Sequence, residues 1–185
     1  IDKSGSGEKT FDFTKFDKNG DEISDDALVF SCVRDNFTGL IWEVKVGNAN
    51  PQFSEVRGVE NHYSKDDSLP GAATCGNPAN CGVETYISQV NTETYCGGAN
   101  WRLPTYLELL QILDYGDSDR ENLFPREFFP YSPDPAALNH LFYWVQERNA
   151  EGGGEAFEWV IDVRNGDDSA IRPISPAYVR LVRTP

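Results

Sequence analysis

The sequence predicts one α+β domain with a mostly antiparallel sheet, and three observations lead there. Strand-type text fills the first and last thirds of the chain, two helix signatures lie between them, and no repeat or linker divides the whole. The length of 185 residues suits one domain with a short extension. With 39% hydrophobic and 12% aromatic residues, the chain carries enough apolar material for a proper core.

Ile1 to Thr10 is polar and rich in Gly and Ser, so it reads as a lead-in. Residues 1–30 are expected to form an N-terminal extension with a hairpin, and residues 31–185 the domain proper. Phe11, Phe13 and Phe16 run into Asp17-Lys18-Asn19-Gly20-Asp21, and Asn-Gly between extended segments is a strong hairpin signal because both residues tolerate positive φ. The same run invites an EF-hand reading with Asp17, Asn19 and Asp21 as ligands. It fails where that loop is strict: Glu22 stands where Gly is needed, and Leu28 where a bidentate Glu should close the shell.

Leu28-Val29-Phe30, Cys32-Val33 and Leu40-Ile41-Trp42-Glu43-Val44 read as strands, with Asp35-Asn36-Phe37-Thr38-Gly39 turning between them. Gly47 to Asn80 is a long polar stretch of the kind that serves as a functional loop. Val83, Tyr86, Ile87 and Val90 share a helical face and predict a helix from Gly82 to about Thr94. Thr105 and Glu108 form a capping box, and Tyr106, Leu109, Leu110 and Leu113 give a second helix one apolar face, with Gly116 expected to end it. Leu141 to Val145 is a wholly apolar run, as in a buried strand. From Phe157 to Arg164 the pattern has period two, with Phe157, Trp159, Ile161 and Val163 on one face. Asn165-Gly166 turns the chain, and Tyr178 to Arg183 closes the domain.

Four cysteines allow three pairings. Cys75 and Cys81 bracket a short Gly-Asn-Pro-Ala-Asn turn and are read as a local staple, which leaves Cys32 with Cys96; free buried thiols are the alternative. The absence of any C-x-x-C pair speaks against a zinc knuckle or a thioredoxin-like motif. Bridged cysteines with strong acidity point to an exported protein, and a chain that begins at Ile1 and lacks Met fits a processed product.

A net charge of −14 counts against nucleic-acid binding and against docking on anionic lipid, since both need a cationic surface. No run approaches the ~18 apolar residues that would insert in a bilayer. Catalytic constellations are absent from the text. His62 and His140 lie in no metal spacing; His62 reads as solvated and His140 as a packing residue. Gly152-Gly153-Gly154 lacks a following Lys and precedes a strand, so it reads as a turn and not a phosphate cradle. The chain is therefore read as a non-enzyme.

At Trp101-Arg102-Leu103-Pro104-Thr105, followed by Glu108-Leu109, the text resembles the Lcl C-terminal domain family, a bacterial group named for the tail of a collagen-like adhesin. Asp35 to Trp42, Phe142-Tyr143-Trp144 and Tyr178 to Arg183 match it in order. The phrase is also similar to the helix start of formylglycine-generating enzymes, which use a reactive cysteine pair near their C-terminal end; here no cysteine follows Cys96. The resemblance implies a C-type-lectin-like fold with two helices, a small antiparallel sheet and long binding loops. It also implies structural roles for Trp101 and Arg102, and a place on a bacterial surface, in the periplasm or in the medium.

The function expected is glycan or surface-polymer binding in adhesion, and the alternative is a structural or protein-interaction module of a surface assembly. Glu147, Arg148, Glu151, Glu155 and Arg172 are the candidate ligand-binding residues. Asp167 and Asp168, with Glu147, Glu151 and Glu155 nearby, are candidates for a calcium site because hard oxygen ligands suit that ion. Arg172, Arg180 and Arg183 lie in a stretch with no acid after Asp168 and are a candidate basic patch; the alternative is pairing to core carboxylates. Phe124-Pro125-Arg126-Glu127-Phe128-Phe129-Pro130-Tyr131 reads as core packing, with an exposed protein-binding patch as the alternative.

Overall fold

The computed structural model describes residues 11–47, 57–59, 61–68, 75, 81–116, 122–133, 140–149 and 157–185. Two antiparallel sheets and two helices confirm the α+β class, but the strands divide between sheets of four and three instead of forming one. The first sheet holds β1 (Phe13–Phe16), β2 (Cys32–Asp35), β3 (Ile41–Glu43) and β7 (Val182–Arg183) in that spatial order. The second is the meander β4 (Phe142–Asn149), β5 (Phe157–Asp162) and β6 (Asp167–Ile171). A parallel bridge between Tyr143 and Tyr178 joins the second sheet to the segment that leads into β7.

β1 pairs along its length with β2, from Phe13 opposite Asp35 to Phe16 opposite Cys32. The Asn19-Gly20 turn forms as expected: Asp17 Oδ1 accepts from the amides of Asn19 (2.8 Å) and Asp21 (3.0 Å), and Gly20 takes φ +88°. Its return arm makes one bridge, Phe16 to Glu22. The strand expected at Leu28-Phe30 is absent. Ala27 N–H turns back to Ser24 O (2.9 Å), and Lys15 Nζ takes the carbonyls of Asp25 (2.7 Å) and Ala27 (3.1 Å), so this backbone is held by a turn and an ammonium. Leu28 and Val29 consequently project into solvent, 90% and 84% exposed.

α1 (Val83–Thr92) buries Val83, Tyr86 and Val90. Asp67 caps it from a distant loop, accepting from the Glu84 and Thr85 amides at 3.2 and 2.9 Å. α2 (Tyr106–Gln111) carries the expected capping box but stops well before Gly116. Asp114 N–H donates to Leu123 O (2.6 Å) and Leu123 N–H to Val163 O (2.7 Å), so the chain after α2 leaves the helix and is tied to the segment just beyond β5.

The second sheet lies between two apolar clusters. Tyr143, Val145 and Ile161 join one with Val33, Trp42 and Phe124; Trp144 and Val160 join the other with Tyr86, Trp101 and Leu181. The period-two reading of β5 is therefore corrected: both faces are covered, and Glu158 and Asp162 are more buried than Phe157 and Trp159. Two of the buried indoles find acceptors, Trp144 Nε1 at Tyr63 O (2.7 Å) and Trp101 Nε1 at Tyr95 O (3.0 Å), whereas Trp42 Nε1 has none among the described residues. The segment 124–129 packs inward through Phe124, Phe128 and Phe129. His62, expected in solvent, is half-buried against Tyr178 with ring centroids 4.3 Å apart, whereas His140 is exposed and stacks on Phe142.

Both disulfides pair as expected, Cys32 with Cys96 and Cys75 with Cys81, and no described cysteine is free. The first closes a separation of 64 residues, which the chain-entropy model values at about 4 kcal/mol.

A carboxylate sits at the centre. Glu43 is fully buried, and its oxygens accept from Lys45 Nζ (2.9 Å), the Tyr86 hydroxyl and the Leu181 amide (3.0 Å). Arg180, also fully buried, donates to Glu43 O (2.8 Å) and stacks on Phe124 and Phe129, 4.4 and 4.6 Å from the ring centroids. Arg183 is buried too, with Nη2 on Cys96 O (2.7 Å). These two guanidiniums thus form no surface patch, and their bonds go to backbone carbonyls, not to core carboxylates.

Removing one member of such a buried group strands the others. Glu43→Ala should lower unfolding free energy by about 3–5 kcal/mol in denaturant titration. Burial also pushes the Lys45 ammonium down to about 8 against an ordinary 10.5. Between those values the unfolded chain holds a proton that the folded chain has released, so this group makes stability rise with pH. From pH 8 to 9.5 the gain should be about 2 kcal/mol, absent in Lys45→Met. Burial pushes Tyr95 up to about 12, so stability should fall again above pH 10 as unfolded tyrosines ionise.

Candidate functional site

Three elements meet around the first turn of α2. The β4–β5 register runs from Phe142–Asp162 to Trp144–Val160 and resumes at Arg148–Glu158, so β4 carries a bulge. Within it, Gln146 N–H donates to Pro104 O (2.8 Å), and Glu147 Oε2 accepts from the Tyr106 amide (2.8 Å). The bulge thereby aims Glu147 at an otherwise unsatisfied helix-start donor. Arg102 holds Glu108 through two bonds of 2.7 and 2.8 Å and also donates to Leu103 O (3.0 Å). Its guanidinium is the main reason the Glu108 carboxyl stays below the usual range.

The third element is the β5–β6 hairpin. Gly166, at φ +80°, lets the turn pass so close to Tyr115 that a Cβ there would collide with its hydroxyl. The Tyr106 hydroxyl donates to Asp168 Oδ1 (3.2 Å), and Asn165 Nδ2 to Asp167 Oδ2 (2.6 Å). Partial burial, then the charges of Asp168 and Asp167, raise the Tyr106 phenol; burial and Asp167 raise that of Tyr115. Tyr106 is half-buried and Tyr115 is exposed, so two phenol rings and two carboxylates share one accessible patch.

The expected site residues divide across the domain. Glu147 and Asp168 bond opposite ends of Tyr106, with Asp167 beside it. Arg148 lies elsewhere, highly exposed and 3.5 Å from Glu158, whose other oxygen takes Lys65 Nζ (2.8 Å). Arg172 is exposed beyond β6. Asp167 and Asp168 each turn an oxygen to a neutral donor, and among the described residues no group of three acids, His or Cys could hold an ion; Glu151 and Glu155, expected near the same calcium site, lie outside those residues. Tyr106 and Tyr115 escaped the sequence reading, the first assigned to a helix core face and the second to no role.

Glu147→Ala leaves the Tyr106 amide without its carboxylate. It should lower stability by about 1 kcal/mol in thermal or denaturant melts, with both sheets retained by circular dichroism.

No curated protein matches the chain. The model of the Lcl C-terminal domain family matches residues 31–183, a stretch that runs from just before β2 through β7 and contains both helices and all four cysteines. Among the described residues no helix is long and apolar enough to cross a membrane. With most of its length covered by that match, the chain belongs to the Lcl C-terminal domain family.

Proposed function

We propose that this is a non-catalytic binding domain of an exported bacterial protein, and that it recognises a surface glycan through the patch around Tyr106, Tyr115, Asp167 and Asp168. The C-type-lectin-like arrangement implied by the family resemblance belongs to this proposal. The observation that carries it is the pairing of accessible phenol rings with carboxylates. Rings offer flat apolar faces to sugar C–H groups, and carboxylates accept hydroxyl or amine hydrogens.

Charge selects the kind of glycan. The chain carries −14 overall, and Arg180 and Arg183 are buried, so neither can meet a sulfate. The ligand is a neutral or amine-bearing polymer. Two disulfides and the strong acidity support its place outside the cytoplasm.

A glycan array probed with the intact chain tests this. Neutral and amino-sugar polymers should be retained over sulfated ones and recovered uncleaved. Tyr115→Ala and Asp168→Asn should each weaken binding about tenfold, a loss of about 1.4 kcal/mol, without shifting the melting temperature. Preferential capture of sulfated glycans, or undiminished binding by both variants, would overturn the assignment.

A further inference from the structure

A second surface shares no residue with the Tyr106 patch. A groove of about 260 Å³ opens between the Asn19-Gly20 turn, the 28–31 segment and the chain around Tyr131. Leu28, Val29, Phe30, Val46, Tyr95 and Tyr131 supply its apolar lining. Leu28 and Val29 are almost fully exposed and Tyr131 is 45% exposed, a concentration of large apolar groups that water disfavours.

The walls are held in place. Cys96 N–H donates to Lys18 O (2.9 Å), and the Tyr95 hydroxyl donates to Ser31 O (3.2 Å). A Cβ on Gly20 would come 2.6 Å from Cys96 O, so the turn sits directly on the residue bridged to Cys32. Tyr131 lies against Gly47, where a Cβ would meet its ring at 2.7 Å. A groove fixed in this way loses little conformational freedom when filled.

Asp17 and Lys18 are the charged residues among its lining, and the segment that carries them together with Leu28 and Val29 is acidic. Residues 17–31 hold five acids, Asp17, Asp21, Glu22, Asp25 and Asp26, against Lys18 alone. Asp21, Glu22, Asp25 and Asp26 are exposed, and the last two directly precede the Leu28 projection. An anionic membrane would be repelled by this run of exposed acids. Asp17, Lys18, Leu28, Val29 and Phe30 precede residue 31, where the family match begins, so nearly half of this surface is supplied from outside the matched stretch and the rest from within it.

We infer that the groove docks a polypeptide segment of a partner protein, one that presents aliphatic side chains flanked by lysine or arginine. The aliphatic groups cover Leu28, Val29 and Tyr131, and the basic groups meet the exposed acids that precede Leu28 in the chain. This surface is separate from the Tyr106 patch and its function does not depend on the glycan reading.

Two synthetic peptides of equal length test it with the full chain, one alternating leucine with lysine and one alternating leucine with glutamate. The lysine peptide should bind, with amide shifts in NMR confined to residues lining the groove, and the glutamate peptide should not. The double variant Leu28→Ser/Val29→Ser should weaken binding at least tenfold, and Asp25→Asn/Asp26→Asn several-fold, with unchanged melting because all four side chains are exposed. Equal binding of both peptides, shifts located elsewhere, or full affinity in the Leu28→Ser/Val29→Ser protein would overturn it. So would a concentration-dependent dimer in sedimentation that those serine substitutions abolish, since the occupant would then be a second copy.

Discussion

The buried Glu43 carboxylate is the constraint on which the rest of the domain depends. It lies at the end of β3, yet its oxygens receive groups from α1 (Tyr86) and from the approach to β7 (Leu181), together with its neighbour Lys45. Elements far apart in sequence thus meet at one charge. Such a charge is tolerable in the interior only when its lone pairs are filled. Arg180 completes the balance from beside Glu43's own carbonyl, with its Nε and Nη2 set among aromatic faces rather than hydrogen-bonded. A core assembled around this knot admits few alternative registers.

Around the knot, the covalent and aromatic parts act in concert. The Cys32–Cys96 bridge ties β2 to the short helical turn Tyr95–Gly97, and the same turn carries the Asn19-Gly20 loop on its back. Trp101 and Trp144 each anchor a loop carbonyl from inside the core. The second sheet, packed on both faces, transmits this rigidity to the β4 bulge and the β5–β6 turn. The Tyr106 patch and the Leu28 groove therefore stand on segments whose positions are set by ordered neighbours.

Much of the local structure was legible because its causes are local. Thr105 and Glu108 announce α2 through a bond pattern spanning three residues, and Asn19-Gly20 announces its turn through φ. Cys75 and Cys81 lie six residues apart and could be paired from that spacing. Leu28-Phe30 reads as strand by composition, yet Lys15 draws the preceding carbonyls away from any ladder, and no composition rule contains that ammonium. Arg180 and Arg183 read either as a basic patch or as partners of core carboxylates, yet they are buried on backbone carbonyls and aromatic rings. At the candidate site, Glu147, Asp167 and Asp168 could be singled out as acids in loop country. Their common neighbour Tyr106 could not, because a bulge and a hairpin bring them to it.

The sequence by itself determined the α+β class, the helix starts, the turns, the cysteine pairing and the family. These follow from periodicity, capping and short-range geometry, or from phrases that survive in linear text. Only the tertiary structure decided which charges are buried, which aliphatic groups remain in water, and which acids share a patch with phenol rings. Those outcomes depend on contacts between residues dozens of positions apart, and such contacts exist only once the two sheets have closed over their common core.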